Sequence, residues 1–236
     1  MKPPKSPWCS VILPTLNEAQ HLPATLRRLR QGQTANGTTD SYEVIVVDGG
    51  STDGTPELAR RHGARVVFSS CGRAQQMNTG AREARGDTLY FLHADTLPPV
   101  DWLHRLRHHG PLPCCFRLQF VGQTRHPLLR LYAWFTRFDV QAFRFGDQSL
   151  WVRREDFMAV GGFPPLQLLE DNALVRYLRT YCGGFQVLPT YVLTSPRKYL
   201  QHGVVRTQLV YTLLYLLHRA GVSQLLLVGL YRRLLR

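Results

Sequence analysis

The sequence predicts an α/β fold: a mostly parallel sheet with helices on both faces, closed by helices at the C-terminal end. Three observations carry this. Strand-like and helix-like segments alternate through the first part of the chain, polar or acidic clusters stand where several strands end, and the rhythm changes after Pro98 with no linker, repeat or low-complexity tract between. The 236 residues suffice for one large core.

Taken in order, "CSVILP" is a short apolar strand, and "LNEAQHLPATLRRLRQ" spaces Leu22, Leu26 and Leu29 at helical intervals. "YEVIVVD" is a second strand. "TDGTPELARRHG" is a helix with Pro56 in its first turn and Gly63 just past its end. "ARVVFS" is a third strand, "GRAQQMNTGAREARG" a helix closed by Gly86, and "DTLYFLHAD" a fourth strand. Then follow a short basic helix "WLHRLRHHG", an alternating strand "CCFRLQF" and an amphipathic helix "PLLRLYAWFTRF". "GDQSLWVRREDFMAVGGF" reads as strand then helix, and "LLEDNALVRYLRTYCGG" as a helix. The whole is expected to be one domain, 1–236: a nucleotide-binding half (1–97), an acceptor half (98–200) and C-terminal helices (201–236).

Composition narrows the class. Apolar residues make up 44% and charged residues 19%, which is globular rather than disordered. With 29 Lys and Arg against 16 Asp and Glu, the formal charge is +13, suited to phosphorylated small molecules, anionic headgroups or nucleic acid. No nucleic-acid-binding module is recognisable, so nucleic acid is not expected as a partner. The five cysteines form no C-x-x-C pair and are expected to be reduced thiols of a cytoplasmic protein. The N-terminal apolar segment is committed to a strand, so no secretory signal is expected. Near the C-terminus, "QLVYTLLYLLHRAGVSQLLLVGLYRRLLR" is interrupted by His218-Arg219 and by Arg232-Arg233, which favours two short helices over a spanning one. Leu225, Leu226, Leu227 and Leu230, with Arg232, Arg233 and Arg236, could rest on the inner face of an anionic membrane; a helix packed on the domain explains the same residues.

Ligands of open parallel sheets sit beyond the carboxyl ends of the strands. Three clusters fall there: Asn17-Glu18, Asp48 and His93-Ala94-Asp95. Either aspartate could simply cap the next helix. Asp48, however, is followed by "GGSTD", in which Ser51 or Thr52 would cap better, and the paired glycines allow close approach of a flat ligand. Neither G-x-G-x-x-G nor a phosphate-cradling G-K-[ST] is present. His93 and Asp95, two residues apart on a strand, would point to one face and suit Mg²⁺ or Mn²⁺ against a diphosphate. Gly146-Asp147-Gln148 is a polar island: a tight turn, or the floor of a pocket.

Four segments in order, "SVILPTLNE", "EVIVVDGGSTDGT", "GRAQQMNTGAREARGDTLYFLHADT" and "LLEDNALVRYLR", resemble family 2 glycosyltransferases of the Rossmann-like GT-A fold. The last two of these, with "FGDQSLWVRRE", resemble a bacterial subgroup found beside radical-SAM or selenium-related genes. The resemblance covers nearly the whole chain. It implies that Pro14, Leu16 and Glu18 line a nucleoside pocket, that Asp48 binds the base, that Arg73 lies near the diphosphate, and that Asp95 is the metal-binding aspartate. His93 stands where the family usually has the first aspartate of D-x-D, and imidazole remains a competent ligand or ribose partner. Glu170-Asp171 matches the acidic pair of the acceptor half, with Asp171 as general base and Glu170 supporting it; an acidic helix start favoured by the dipole is the simpler account of the pair alone. The implied reaction is inverting transfer from a nucleoside-diphosphate sugar to an acceptor hydroxyl, lipid-linked or otherwise, with Mg²⁺ or Mn²⁺. Two other readings stand beside it: a non-catalytic sugar-nucleotide-binding regulator, and a nucleotidyltransferase, whose glycine-rich basic signature after the first strand "PTLNEAQHLP" lacks.

Overall fold

A computed structural model describes residues 6–34, 41–122, 126–144 and 146–235. The strand–helix alternation forms one sheet edge of three parallel pairings. β1 (Cys9–Thr15) lies between β2 (Tyr42–Asp48) and β4 (Thr88–Phe91), and β3 (Arg65–Phe68) lies outside β2. β1 and β2 run in register from Cys9 opposite Tyr42 to Thr15 opposite Asp48, so both strands end at the same edge. Helices α1 (Leu22–Thr34), α2 (Thr55–Arg61) and α3 (Arg73–Glu83) are the crossovers. α3 lies flush on the sheet at Gly80, where a β-carbon would come 2.5 Å from Ile12 Cγ2 and 2.9 Å from Val47 Cγ2. Most buried apolar residues of these strands reach one of two cores. One lies under Trp102, Leu22 and Leu29; the other is built from Ile12, Ile45, Met77, Phe91, Phe157 and Leu174.

The rest of the chain extends the same sheet, whose order is β3-β2-β1-β4-β7-β6-β8-β5. β7 (Leu150–Arg153) pairs antiparallel with β4, and β6 (Cys114–Phe120) lies between β7 and β8 (Gln186–Thr194). The two-residue β5 (Thr96–Leu97) pairs with the end of β8. Outside the sheet lie α4 (Trp102–His108), α5 (Pro127–Phe135), α6 (Arg154–Ala159), α7 (Glu170–Cys182), α8 (Arg197–His202), α9 (Val204–Arg219) and α10 (Gln224–Leu235). No helix among the described residues is long and apolar enough to cross a membrane.

Several boundaries differ from the sequence expectation. α1 starts at Leu22, six residues later than Leu16, because 16–21 form a loop in which Asn17 adopts φ 55°, a region asparagine tolerates. α3 stops at Glu83, since Ala84 is extended and Gly86 lies against β1, where a β-carbon would sit 2.7 Å from Ser10 N. β4 stops at Phe91, which removes the premise that His93 and Asp95 share one face of a strand; both stand in the loop leading to β5.

Candidate active site

The loops that leave β1 and β2 are laced together. Asn17 N donates to Ser51 Oγ (2.8 Å), Asn17 Oδ1 accepts from Thr52 N (2.9 Å), Glu18 N donates to Thr55 Oγ1 (2.9 Å) and Ala19 N to Asp53 Oδ2 (3.0 Å). Behind them, Gln76 Nε2 donates to the carbonyls of Thr15 and Val47, each at 2.8 Å, pinning both strand ends.

Asp48 is the organiser of this loop pair. Its Oδ1 accepts from Gly50 N (3.0 Å) and Ser51 N (2.8 Å), and its Oδ2 from Thr15 Oγ1 (3.1 Å) and Ser51 Oγ (2.5 Å). At 1% exposure it is buried. In the absence of a nucleotide Asp48 thus holds its own loop in shape. Pro14 is half-buried, whereas Leu16 is exposed at the start of that loop.

Glu18 and Asp95 come together through a residue the sequence did not single out. Arg197, at the start of α8, donates from Nη1 to Glu18 Oε2 at 3.1 Å and from Nη2 to Glu18 Oε1, and Nη2 also lies 3.3 Å from Asp95 Oδ2. An arginine 179 positions downstream of its partner leaves no local signal to find it by.

The second cluster forms at the head of α7. Leu169 caps the helix in a left-handed turn (φ 65°), placing Glu170 and Asp171 in its first turn. Glu170, 1% exposed, takes an ion pair from Arg73 Nε at 2.9 Å, while its Oε2 has no hydrogen-bond partner among the described residues. Burial pushes the Glu170 carboxyl up to about 7, against the pull of Arg73 and with the help of Asp171. Asp171 accepts from Asn172 N at its Oδ1 (2.7 Å) and from Gly146 N at its Oδ2. Asn172 ties the helix to the 141–144 segment by donating to the carbonyls of Gln141 (2.7 Å) and Arg144 (2.9 Å).

Gly146 opens a 3₁₀ turn, Gly146–Gln148. A β-carbon there would come within 2.8 Å of Asp171 Oδ2 and 3.0 Å of His93 Nε2, so His93 and Asp171 are neighbours across a glycine. The polar island is therefore both a turn and part of a site. Burial and the charge of Arg73 hold His93 down to about 4, against Asp95 and Asp171, so the imidazole is neutral at physiological pH. Asp147 follows the opposite course. Burial, then Asp171, pushes it up to about 7, and its buried Oδ1 has no hydrogen-bond partner among the described residues. His93, Gly146, Ser149, Glu170 and Asp171 line a small cavity whose apolar side is Met77, Phe91, Phe163 and Val175.

The elevated Glu170 pKa has a consequence for stability. A carboxyl protonated more readily in the fold than in the unfolded chain stabilises fully below the ordinary value near 4.5, and this contribution disappears as pH rises through about 7. Melting temperature should therefore fall between pH 5 and 8, and Glu170→Gln should flatten that slope when both proteins are melted across the range.

Cation binding can be tested against the same residues. Among the described residues, no group of three or more His, Cys, Asp or Glu is placed to hold a metal ion. Asp95 nevertheless already takes a cationic partner, Arg197, and His93 is a neutral imidazole. One carboxylate and one imidazole fit a cation whose remaining ligands are phosphate oxygens and water.

Residues 10–109 match the family model described as glycosyl transferase family 2. A PGL/p-HBAD biosynthesis glycosyltransferase of Mycobacterium bovis is 30% identical over 174 residues, covering 67% of this chain and 64% of that protein. An undecaprenyl-phosphate 4-deoxy-4-formamido-L-arabinose transferase of Pseudomonas paraeruginosa is 33% identical over 114 residues, 45% of this chain and 33% of that one. Among solved structures, a mannosyltransferase from Pyrobaculum calidifontis in complex with GDP-Man and Mn²⁺ superposes with a TM-score of 0.63 at 21% identity, covering 93% of this chain and 66% of the other. The chain thus spans about a third to two-thirds of the length of these relatives. The fold is GT-A.

Proposed function

We propose that this protein is a glycosyltransferase of the family 2 type, moving a sugar from a nucleoside-diphosphate donor to an acceptor hydroxyl with inversion. The observation that carries the reading is the pairing of two loci on one sheet edge. Laced β1 and β2 loops offer backbone and carboxylate groups to a nucleotide, and across Gly146 from His93 the Asp171 carboxylate lines the neighbouring cavity. The single relatives whose names state a glycosyl transfer support the reaction class.

In this reading Asp171 accepts the acceptor's hydroxyl proton as that oxygen attacks the anomeric carbon. The new C–O bond forms on the face opposite the breaking C–O bond, and the electron pair departs with the nucleoside diphosphate, inverting the centre. Glu170 holds Arg73, whose permanent cation stabilises the departing phosphates. Pro14, Leu16 and Glu18 border the nucleoside, and Asp48 binds the base. His93 and Asp95 would hold a divalent ion, Mg²⁺ or Mn²⁺, which neutralises diphosphate charge when bound. Arg197 must then release Asp95, so Arg197 serves as the counter-charge of the donor-free site. A single unit spanning 1–236 fits one sheet shared by both halves. We assign the chain to the subgroup beside radical-SAM or selenium-related genes on "FGDQSLWVRRE" and "LLEDNALVRYLR". A lipid-linked acceptor is favoured by the relative named for undecaprenyl phosphate, the attacking group here being a hydroxyl of the lipid-borne moiety and not the phosphate itself.

The test is a thermal-shift screen against UDP-, GDP-, CDP- and dTDP-sugars with and without Mn²⁺. Stabilisation by one nucleotide sugar that requires the metal, and that weakens sharply in Asp95→Ala, is the expected result. Equal stabilisation in excess chelator would assign the diphosphate to Arg73 and Arg197 alone; no stabilisation by any donor would remove the reading.

A further inference from the structure

All 16 acidic residues of the chain lie at or before Asp171, and residues 172–236 carry arginine and lysine with no Asp or Glu to balance them. This acid-free stretch ends in the α9–α10 hairpin, which shows leucine to solvent. On α9, Val205, Leu209, Leu213 and Leu216 recur at helical spacing and are exposed, Leu209 at 65%, while Val204, Thr207, Val210 and Leu214 are buried. On α10, Leu225 and Leu226 are 85% and 65% exposed, and Arg232 and Arg233 follow each of them by seven positions on the same exposed face. Arg206 stands exposed beside Leu209 on α9. The inward faces meet each other through Val210, Leu214, Leu227 and Leu235. Two residues expected on the surface therefore belong inside, Leu227 fully buried and Leu230 half-buried, and Arg236 lies outside the described residues.

We propose that the α9–α10 hairpin binds an anionic lipid surface lying flat in the interface, its outward leucines entering the headgroup–acyl boundary and Arg206, Arg232 and Arg233 meeting lipid phosphates. Charge decides between this partner and a second copy of the chain. A twofold interface sets the same patch against itself, which would bring arginine against arginine with no acidic residue of the hairpin to intervene. A bilayer of anionic lipid supplies both complements at once, apolar depth for leucine and negative charge for arginine. The proposal stands apart from the transfer reaction, because it concerns a surface that Asp171 and His93 do not touch.

Flotation of the full chain with vesicles reads it without any turnover. Phosphatidylglycerol vesicles should carry the protein up the gradient at low salt, less so at physiological salt, and phosphatidylcholine vesicles should not. Arg232→Gln with Arg233→Gln should weaken partition roughly twenty-five-fold, about five-fold for each charge removed near the surface. Leu225→Glu with Leu226→Glu should abolish it with an unchanged melting temperature, since both leucines are exposed. Absence of flotation with phosphatidylglycerol at low salt overturns the proposal, as does flotation undiminished in both double variants. A dimer in sedimentation that Leu209→Glu dissociates, with no vesicle binding, would give the face to a second copy instead.

Discussion

Asp171→Asn should lower turnover by about 10²–10⁴ while leaving donor affinity nearly unchanged, the range typical of losing a general base. Of the two adjacent carboxylates, Asp171 is the better base on structural grounds. Glu170 is buried, already paired with Arg73, and raised to about 7. Asp171 borders the same cavity beside a neutral His93, and two backbone N–H groups, at Gly146 and Asn172, fix the direction of its carboxylate. The amide of asparagine keeps the size but presents one oxygen rather than two, so one of those contacts is lost as well, at about 1 kcal/mol. Calorimetry for the donor and nucleotide release for turnover, on one preparation, separate the two effects. Normal turnover in Asp171→Asn together with a dead Glu170→Gln would move the base to Glu170, and activity in both would remove this helix start from the chemistry.

Gly146→Ala should be nearly as damaging, although the methyl group adds no charge and removes no reactive atom. Its carbon would lie 2.8 Å from Asp171 Oδ2 and 3.0 Å from His93 Nε2, so one or both side chains must move. Displacing a reacting group by about 1 Å costs on the order of 10² in rate. Turnover should fall by that order while the melting temperature drops only modestly, because the clash falls on the Asp171 and His93 side chains rather than on packed apolar residues. The check is kcat beside a thermal melt: full activity would show that Asp171 can shift without penalty, which its assignment as base does not allow.

Which of these features the sequence could show depends on whether their causes are local. The front of the sheet was legible because apolar runs such as "EVIVVD" and turn residues such as Pro56 and Gly63 act within a few positions. β8 went unnoticed because Pro189 sits inside "QVLPTYVLT", and proline argues against a sheet interior. The structure accommodates it in a bulge: β6 and β8 pair through Phe116 with Leu188 and resume at Arg117 with Tyr191, so Pro189 and Thr190 are passed over. The acidic pair at 170–171 was visible as a motif, but its partners were not. Arg73, His93 and Gly146 reach it only through tertiary closure. Asp48 was legible as a strand-end carboxylate, but the contacts by which its own loop wraps it were not.

The order of strands also sets a schedule for the growing chain. β4 closes the parallel set at Phe91, but the strand that covers its outer edge begins only at Leu150, and β5 waits for β8 at the far end of the sheet. At about 5–20 residues per second, synthesis leaves that edge open for several seconds, an interval in which an unpaired strand can recruit another chain. The first half of the chain thus emerges as an unfinished sheet that only the second half can seal, and a ribosome that stalls between them would release an adhesive intermediate rather than a working fragment.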